Sequence, residues 1–339
     1  MRVLLTGGYG CIGSWILKHL LHHGESVWIY DLREDTRRLR LLVSDELVRK
    51  VDFIQGDVTD LAAVRRAIDR YAITHVLHLA GLQVPICRAE PLHGAKVNVL
   101  GTLAIFEAVR LARPQVQRLV YASSAAVFGP PDFYAGDRLP LSDDVLLAPS
   151  THYGVFKCCN EGNARIYYQD FGLSSIGLRP WTVYGVGRDF GMTSEPTKAI
   201  KSVALGRPYA ISYGGKQDLQ FADDVAKVFV QALEVPYRGA KSYNLRGAVV
   251  DLATFHRTLC EVAPEARDLI AFGERQLGIA YDLSDTALQR DLGPIHVTPL
   301  ADGIRQTLED FRRLQREGRL DTAELDAAPA PATAPADEP

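Results

Sequence analysis

The stretch RVLLTGGYGCIG, residues 2–13, sets Gly7, Gly8, Gly10 and Gly13 directly behind a short apolar run. Glycine loses more conformational freedom on folding than any other residue. A chain that concentrates it behind a buried strand needs the backbone there to turn sharply or to be approached closely. Two templates overlap: Gly8, Gly10 and Gly13 spell G-x-G-x-x-G, and Gly7, Gly10 and Gly13, behind Thr6, spell T-G-x-x-G-x-x-G. Ile12, Ile16, Leu17, Leu20 and Leu21 then recur at helical spacing, and Gly24 suits the helix end. A glycine turn that opens a helix offers free N–H groups and the positive end of the helix dipole to an anion, and a pyrophosphate fits.

The second strand, SVWIYDL, ends on an acid. Asp31 can accept both ribose hydroxyls of NAD and repels a 2′-phosphate. Arg33, Arg37 and Arg38 stand near enough to make NADP conceivable, but Asp31 decides for NAD. Cys11 and Ile12 lie inside the cofactor loop. Asp57 and Val58, behind the third strand, are expected beside the adenine ring.

Strand and helix signals alternate through VDFIQGDVTD, LAAVRRAIDRY, THVLHLAG, a long helix over 95–113, and RLVYASSAAVFG. Residues 33–50 read as a further helix. This alternation predicts an α/β chain, a Rossmann-type doubly wound parallel sheet with helices on both faces. Residues 130–149 read as a loop and THYGVFKCCNEGNARIYYQDFG as one long helix. SSIGLRPWTVYG reads as a strand and its exit loop, 186–220 as glycine-rich and irregular, ADDVAKVFVQALE as a helix, KSYNLRG as a late strand, and the chain beyond 251 as mainly helical. The expected division is an NAD-binding domain over 1–178 with 222–247 returning to it, and a smaller, mainly C-terminal substrate-binding lobe from 179–221 and 248–320. A disordered tail is expected over 327–339, AAPAPATAPADEP.

Composition excludes other classes. The formal net charge of −3 with interleaved signs gives no reason to expect nucleic acid or an anionic membrane as partner. No apolar run is long enough for a signal peptide or a membrane span. Cys11, Cys87, Cys158, Cys159 and Cys260 are odd in number and scattered, which predicts reduced thiols and a cytoplasmic protein. No metal site is expected: His75 and His78 share a strand at a spacing that points them to opposite faces, and His19, His22 and His23 read as surface residues of the first helix. Neither a hydrolase elbow around Ser124 nor a phosphate-loop lysine is present.

Tyr153 and Lys157 are four apart in a predicted helix and so share a face. A phenol is a poor base near neutrality, and a nearby ammonium favours its ionised form. Ser124 lies upstream at the carboxyl end of a strand, where doubly wound sheets bind ligands. These residues, with TGGYGCIG, GDVTD, HLAGL, NVLGT, YASSAAVFG, YGVFK, LRPWTVYGVGR and FADDVAK in that order, resemble the extended short-chain dehydrogenases/reductases of the NAD-dependent epimerase/dehydratase family over roughly residues 1–320. The resemblance implies that Ser124, Tyr153 and Lys157 are catalytic. It implies that Leu79, Ala80 and Gly81 and the helix residue Asn98 face the cofactor, and that Tyr153 and Lys157 touch it too. It implies hydride transfer between a sugar-derivative hydroxyl and NAD, with Tyr153 moving the hydroxyl proton, and a homodimer formed by the helices around 95–113 and 151–170.

Substrate residues are expected at Ser124, Ala125, Thr182, Arg188 and Gln217. Gln217 stands in KQDLQFADD where relatives that bind a nucleoside diphosphate carry arginine. Glutamine cannot make the charged bidentate contact of an arginine. Arg179, Arg188, Lys198, Arg207 and Lys216 remain as possible anion contacts. The reading is epimerisation of a nucleotide sugar such as a UDP-hexose or UDP-uronate. The alternatives are a net NAD-dependent dehydrogenase of a free sugar acid and, from another class, a non-catalytic NAD-binding regulatory protein.

Overall fold

The computed structural model describes residues 1–326, so the expected tail at 327–339 lies outside the described residues. The strands in chain order are β1 Arg2–Thr6, β2 Ser26–Asp31, β3 Asp52–Gln55, β4 His75–His78, β5 Arg118–Ala122, β6 Ser175–Arg179, β7 Thr182–Tyr184, β8 Tyr209–Ile211, β9 Lys216–Phe221, β10 Ala240–Asn244, β11 Ala248–Asp251 and β12 Ile270–Phe272. Seven of them form one sheet in the order β10-β6-β5-β4-β1-β2-β3, and every neighbouring pair is parallel. β1 and β6 are buried almost throughout, as expected of strands covered on both faces. The doubly wound reading of the sequence therefore holds.

The strand order reverses between β1 and β4, so the chain leaves these two strands in opposite directions and a crevice opens at their carboxyl ends. The two exits touch. Gly7 has φ +68°, and a Cβ on it would lie 2.7 Å from the Ala80 amide nitrogen. A Cβ on Gly13 would meet Gly8 O at 2.5 Å, whereas one on Gly8 would meet only the side chains of Ile29 and Leu5. Backbone crowding thus selects the Gly7, Gly10, Gly13 template over the one that begins at Gly8.

The helices that matter below are α1 Cys11–His22, α2 Arg37–Leu42, α3 Leu61–Arg70, α4 Thr102–Leu111, α5 His152–Phe171, α6 Glu195–Ala204, α7 Ala222–Glu234 and α8 Leu300–Arg316. The helix expected over 33–50 is two short pieces, α2 and a turn at Asp45–Val48, because Val43 is extended at φ −136°. The long helix expected over 95–113 contains a π-helical turn at Lys96–Gly101, where Gly101 packs against Val58. The strand expected in SSIGLRPWTVYG is β6 of the main sheet, but its expected exit loop is not all loop: beyond Pro180 and Trp181 it forms β7, which joins β9 and β11 in a second, three-stranded sheet. The segment 186–220 is not irregular. It holds α6, β8 and β9, with proline in the first turn of α6 and Gly206 at φ +65° beyond its end.

α1 packs against α7, and His19 is no free surface residue: its Nε2 lies 2.9 Å from Asp223 Oδ1, with Lys18 on the same oxygen. Trp15 Nε1 donates to Val186 O at 2.9 Å, tying α1 to the loop behind β7. Among the described residues no helix is long and apolar enough to cross a membrane, and no group of metal-ligating side chains assembles.

Candidate active site

A cavity of about 470 Å³ opens at the carboxyl ends of β1 to β5. Gly7, Gly10, Cys11, Ile12 and Gly13 form its floor, and Asp31, Asp57, Val58, Leu79, Ala80 and Gly81 continue the wall. Gly10 is the N-cap of α1 and no side chain caps that end, so the first N–H groups of the helix stay free for an anion. A Cβ on Gly10 would meet only Gly7 O, at 3.2 Å, so the space above it is open. Burial pushes the Asp31 carboxyl up, while its Oδ1 accepts from Leu32 N at 2.7 Å. Arg37 is paired with Asp35 and Arg38 with Asp189, which leaves neither guanidinium free for a 2′-phosphate. The donor set fits NAD: free amides for a pyrophosphate and a carboxylate for a ribose. Burial also pushes the Cys11 thiol up to about 11, so it remains protonated and packs.

Asn98 departs from expectation. It is buried, its Oδ1 accepts from Leu82 N at 2.7 Å and its Nδ2 donates to Leu82 O at 2.9 Å. It does not line the cavity but holds the loop that does. His78 has a similar supporting place. Burial drives its pKa down to about 3, so the ring is neutral. Thr102 donates its hydroxyl to Asn98 O at 2.8 Å, so its oxygen accepts from His78 Nε2 at 3.0 Å. His78 Nδ1 then accepts from the Thr6 hydroxyl at 2.7 Å, whose oxygen accepts from Ala80 N at 3.2 Å. With the Thr102 hydroxyl committed to Asn98 O, the hydrogen bonds run in one direction from Asn98 to Ala80. This network locks the Ala80 backbone where the two strand exits meet.

Ser124, Ala125, Tyr153 and Lys157 line the same cavity. Ser124 caps a 3₁₀ turn over Ala125–Val127, its Oγ accepting from Ala126 N at 3.1 Å. α5 starts with Thr151 as N-cap, Oγ1 accepting from Gly154 N at 3.0 Å. A Cβ on Gly154 would overlap Ala126 O. Only glycine lets the first turn of α5 settle on the Ser124 segment and bring Tyr153 to it.

The expected effect of Lys157 on Tyr153 is not what the geometry gives. Lys157 Nζ donates to Ala122 O at 2.6 Å and stands 5.5 Å from the centroid of the Tyr153 ring. Burial lowers the lysine to about 8. Burial also raises the Tyr153 phenol, and the groups that pull it back are the Ser124 hydroxyl first and the Arg188 guanidinium second. Without cofactor Tyr153 is a neutral phenol at pH 7.

The substrate residues divide. Arg188 lines the cavity, its terminal nitrogen donating to Thr193 Oγ1 at 3.0 Å and its Nε buried without a partner. Thr182 and Gln217 do not line it. Both are fully buried between β7 and β9, Thr182 Oγ1 donating to Gln217 Oε1 at 3.0 Å. Arg179 is no anion contact either: it is buried and paired at 2.7 Å with Glu161, which also accepts from Ser123. Missed from sequence were Gln83, Asp189, Met192 and Ile279 of the cavity wall, on loops with no periodic signal. Arg38, weighed only against a 2′-phosphate, spans the wall to Asp189 with a contact of 2.7 Å.

Residues 3–245 match the NAD dependent epimerase/dehydratase family. The chain belongs to that family. It is 31% identical over 321 residues to UDP-glucose 4-epimerase of Mycolicibacterium smegmatis, covering 92% of this chain and 99% of the relative. It is 28% identical to UDP-glucuronate 4-epimerase 2 of Arabidopsis thaliana, over 82% of this chain and 64% of that one. Among solved structures it resembles UDP-glucose 4-epimerase of Thermus thermophilus in complex with NAD, with 28% identity, a TM-score of 0.75, and 92% and 99% of the two chains covered. As a family member the chain is an NAD-dependent enzyme, and the glycine loop and Asp31 described above are the groups suited to the cofactor.

An ultraviolet titration of the cofactor-free protein, wild type minus Tyr153→Phe, checks the electrostatics. The difference signal is expected to ionise only above pH 10, because burial outweighs Ser124 and Arg188. Ionisation below pH 7 would contradict that balance.

Proposed function

We propose that this enzyme epimerises a ring hydroxyl of a nucleotide sugar, with Ser124, Tyr153 and Lys157 as the catalytic residues. The observation that carries the reading is that these three side chains share one cavity with the free helix end at Gly10 and with Asp31. The full-length similarity to UDP-sugar 4-epimerases supports the substrate class.

NAD, when bound, supplies the hydride acceptor and donor. Tyr153 takes the proton of the reacting hydroxyl and later returns it. Ser124 donates to the same oxygen as it becomes a carbonyl. Lys157 is an ammonium below about pH 8, held at the cavity wall by its hydrogen bond to Ala122 O, where it suits a ribose hydroxyl of the cofactor. Arg188 adds a positive field at Tyr153. Residues 1–178 with 222–247 form the cofactor-holding part in this reading, and 179–221 with 248–320 close on the substrate. The five free thiols support a reducing compartment, the cytoplasm.

A homodimer completes the reading. Leu92, 88% exposed, Leu100, 57%, and Val155, 49%, are apolar residues on the neighbouring helical stretches 91–111 and α5. Side chains this exposed on packed helices would be covered by a second copy. Sedimentation of the whole chain is expected to give twice the chain mass, and a monomer at micromolar concentration would remove this element.

Incubation with NAD and a panel of UDP-hexoses and UDP-uronates tests the activity. The expected result is interconversion of two sugars without accumulating NADH, and at least roughly a hundredfold loss in Tyr153→Phe, the usual scale for a lost general acid–base, with NAD still bound. NADH accumulating in proportion to a free sugar acid would replace the reading with a net dehydrogenase. Full activity in Tyr153→Phe would remove Tyr153 from the chemistry.

A further inference from the structure

A second cavity, about 290 Å³, adjoins the catalytic one, and the two share Arg38, Gly187, Arg188 and Asp189. It lies between α2, α6, Phe311 of α8 and the segment 319–324. Seven basic and three acidic side chains line it. Five of the basic groups already face a carboxylate, as Arg38 faces Asp189 and Lys201 faces Glu324. Among the described residues Arg188 and Lys198 face none, and the Arg188 Nε proton has no acceptor. A buried donor left without a partner is costly, and two cations that face no carboxylate draw an anion to the cleft.

The position where an arginine would grip a diphosphate cannot do so in this chain. Gln217 is fully buried, its Oε1 is taken by Thr182, and its Nε2 has no acceptor. The diphosphate of a nucleotide sugar therefore needs another cationic seat within reach of Tyr153. Arg188 lies on the boundary: it is close enough to act on the Tyr153 phenol and also lines the second cavity.

We propose that this annex is the phosphoryl subsite, with Arg188 at its mouth and Lys198 within it binding the diphosphate of the sugar nucleotide. The inference rests on the nucleotide-sugar reading above. Leu41, Phe311 and Leu320 add an apolar wall suited to the nucleoside end.

Calorimetric titration of UDP into the full chain with NAD present, wild type against Lys198→Ala and Lys198→Arg, tests it. Loss of one charge-assisted contact to phosphate is expected to weaken UDP roughly tenfold, or ~1.4 kcal/mol. Lys198→Arg should retain affinity, and NAD binding should not change. KM for the UDP-sugar should rise in Lys198→Ala with kcat nearly constant, and UDP should compete with the UDP-sugar. Two results would overturn the annex while leaving the epimerase reading intact. One is UDP affinity unchanged in Lys198→Ala; the other is UDP bound without competing with the sugar nucleotide, which marks an independent anion site. Gln217→Arg tightening UDP while Lys198→Ala does nothing would return the diphosphate to β9. A wild type that neither binds UDP nor turns over any UDP-sugar would sink the substrate class itself.

Discussion

The first turn of α5 lies directly on the carbonyl of Ala126, and the absence of a side chain at Gly154 is what permits it. The proposed chemistry depends on this contact. The strand β5 delivers Ser124 at its carboxyl end, and the Thr151 cap fixes where α5 begins. If the helix stood off by the width of a methyl group, the phenol of Tyr153 would leave the serine. The Gly7–Ala80 approach does the same for the cofactor half, bringing together the exits of β1 and β4. Two backbone contacts thus place the glycine loop and the side chains of Ser124 and Tyr153 around one cavity.

The charges around that cavity are arranged for a low-dielectric site. His78 is held neutral and serves as a link between Thr6 and Thr102. Arg179 and Glu161 neutralise one another behind Ser123. This leaves Lys157 and Arg188 as the positive groups facing the phenol's side of the cavity, one tied to Ala122 O and one with a donor to spare. A neutral phenol with the Arg188 guanidinium acting on it gives up its proton more readily when a further positive group arrives.

Much of this could be read from residue order because the physical demands are local. A glycine turn behind a buried strand, an acid at the end of the next, and Tyr153 and Lys157 one helical turn apart each specify their own surroundings. The parallel, doubly wound sheet followed from strand and helix alternation alone. What escaped was long-range. Nothing near Asn98 shows that its amide closes on the Leu82 backbone sixteen residues away. Thr182 and Gln217 look polar and available, yet the pairing of β7 with β9 turns them inward against each other. The α6 segment was hidden by the glycines around it, although Ser194, Pro196 and Gly206 mark its ends. The pairing of Arg38 with Asp189 joins residues 151 apart in the chain and has no local signature.

The claim at the centre is that hydride leaves and returns to the same sugar carbon within one closed site. A UDP-sugar deuterated at the reacting carbon, converted by the wild-type enzyme with NAD, measures this directly. The account predicts that the epimerised product keeps the deuterium at that carbon, with none lost to water and no build-up of deuterated NADH. Product lacking the label, or deuterated NADH released in step with turnover, would contradict it.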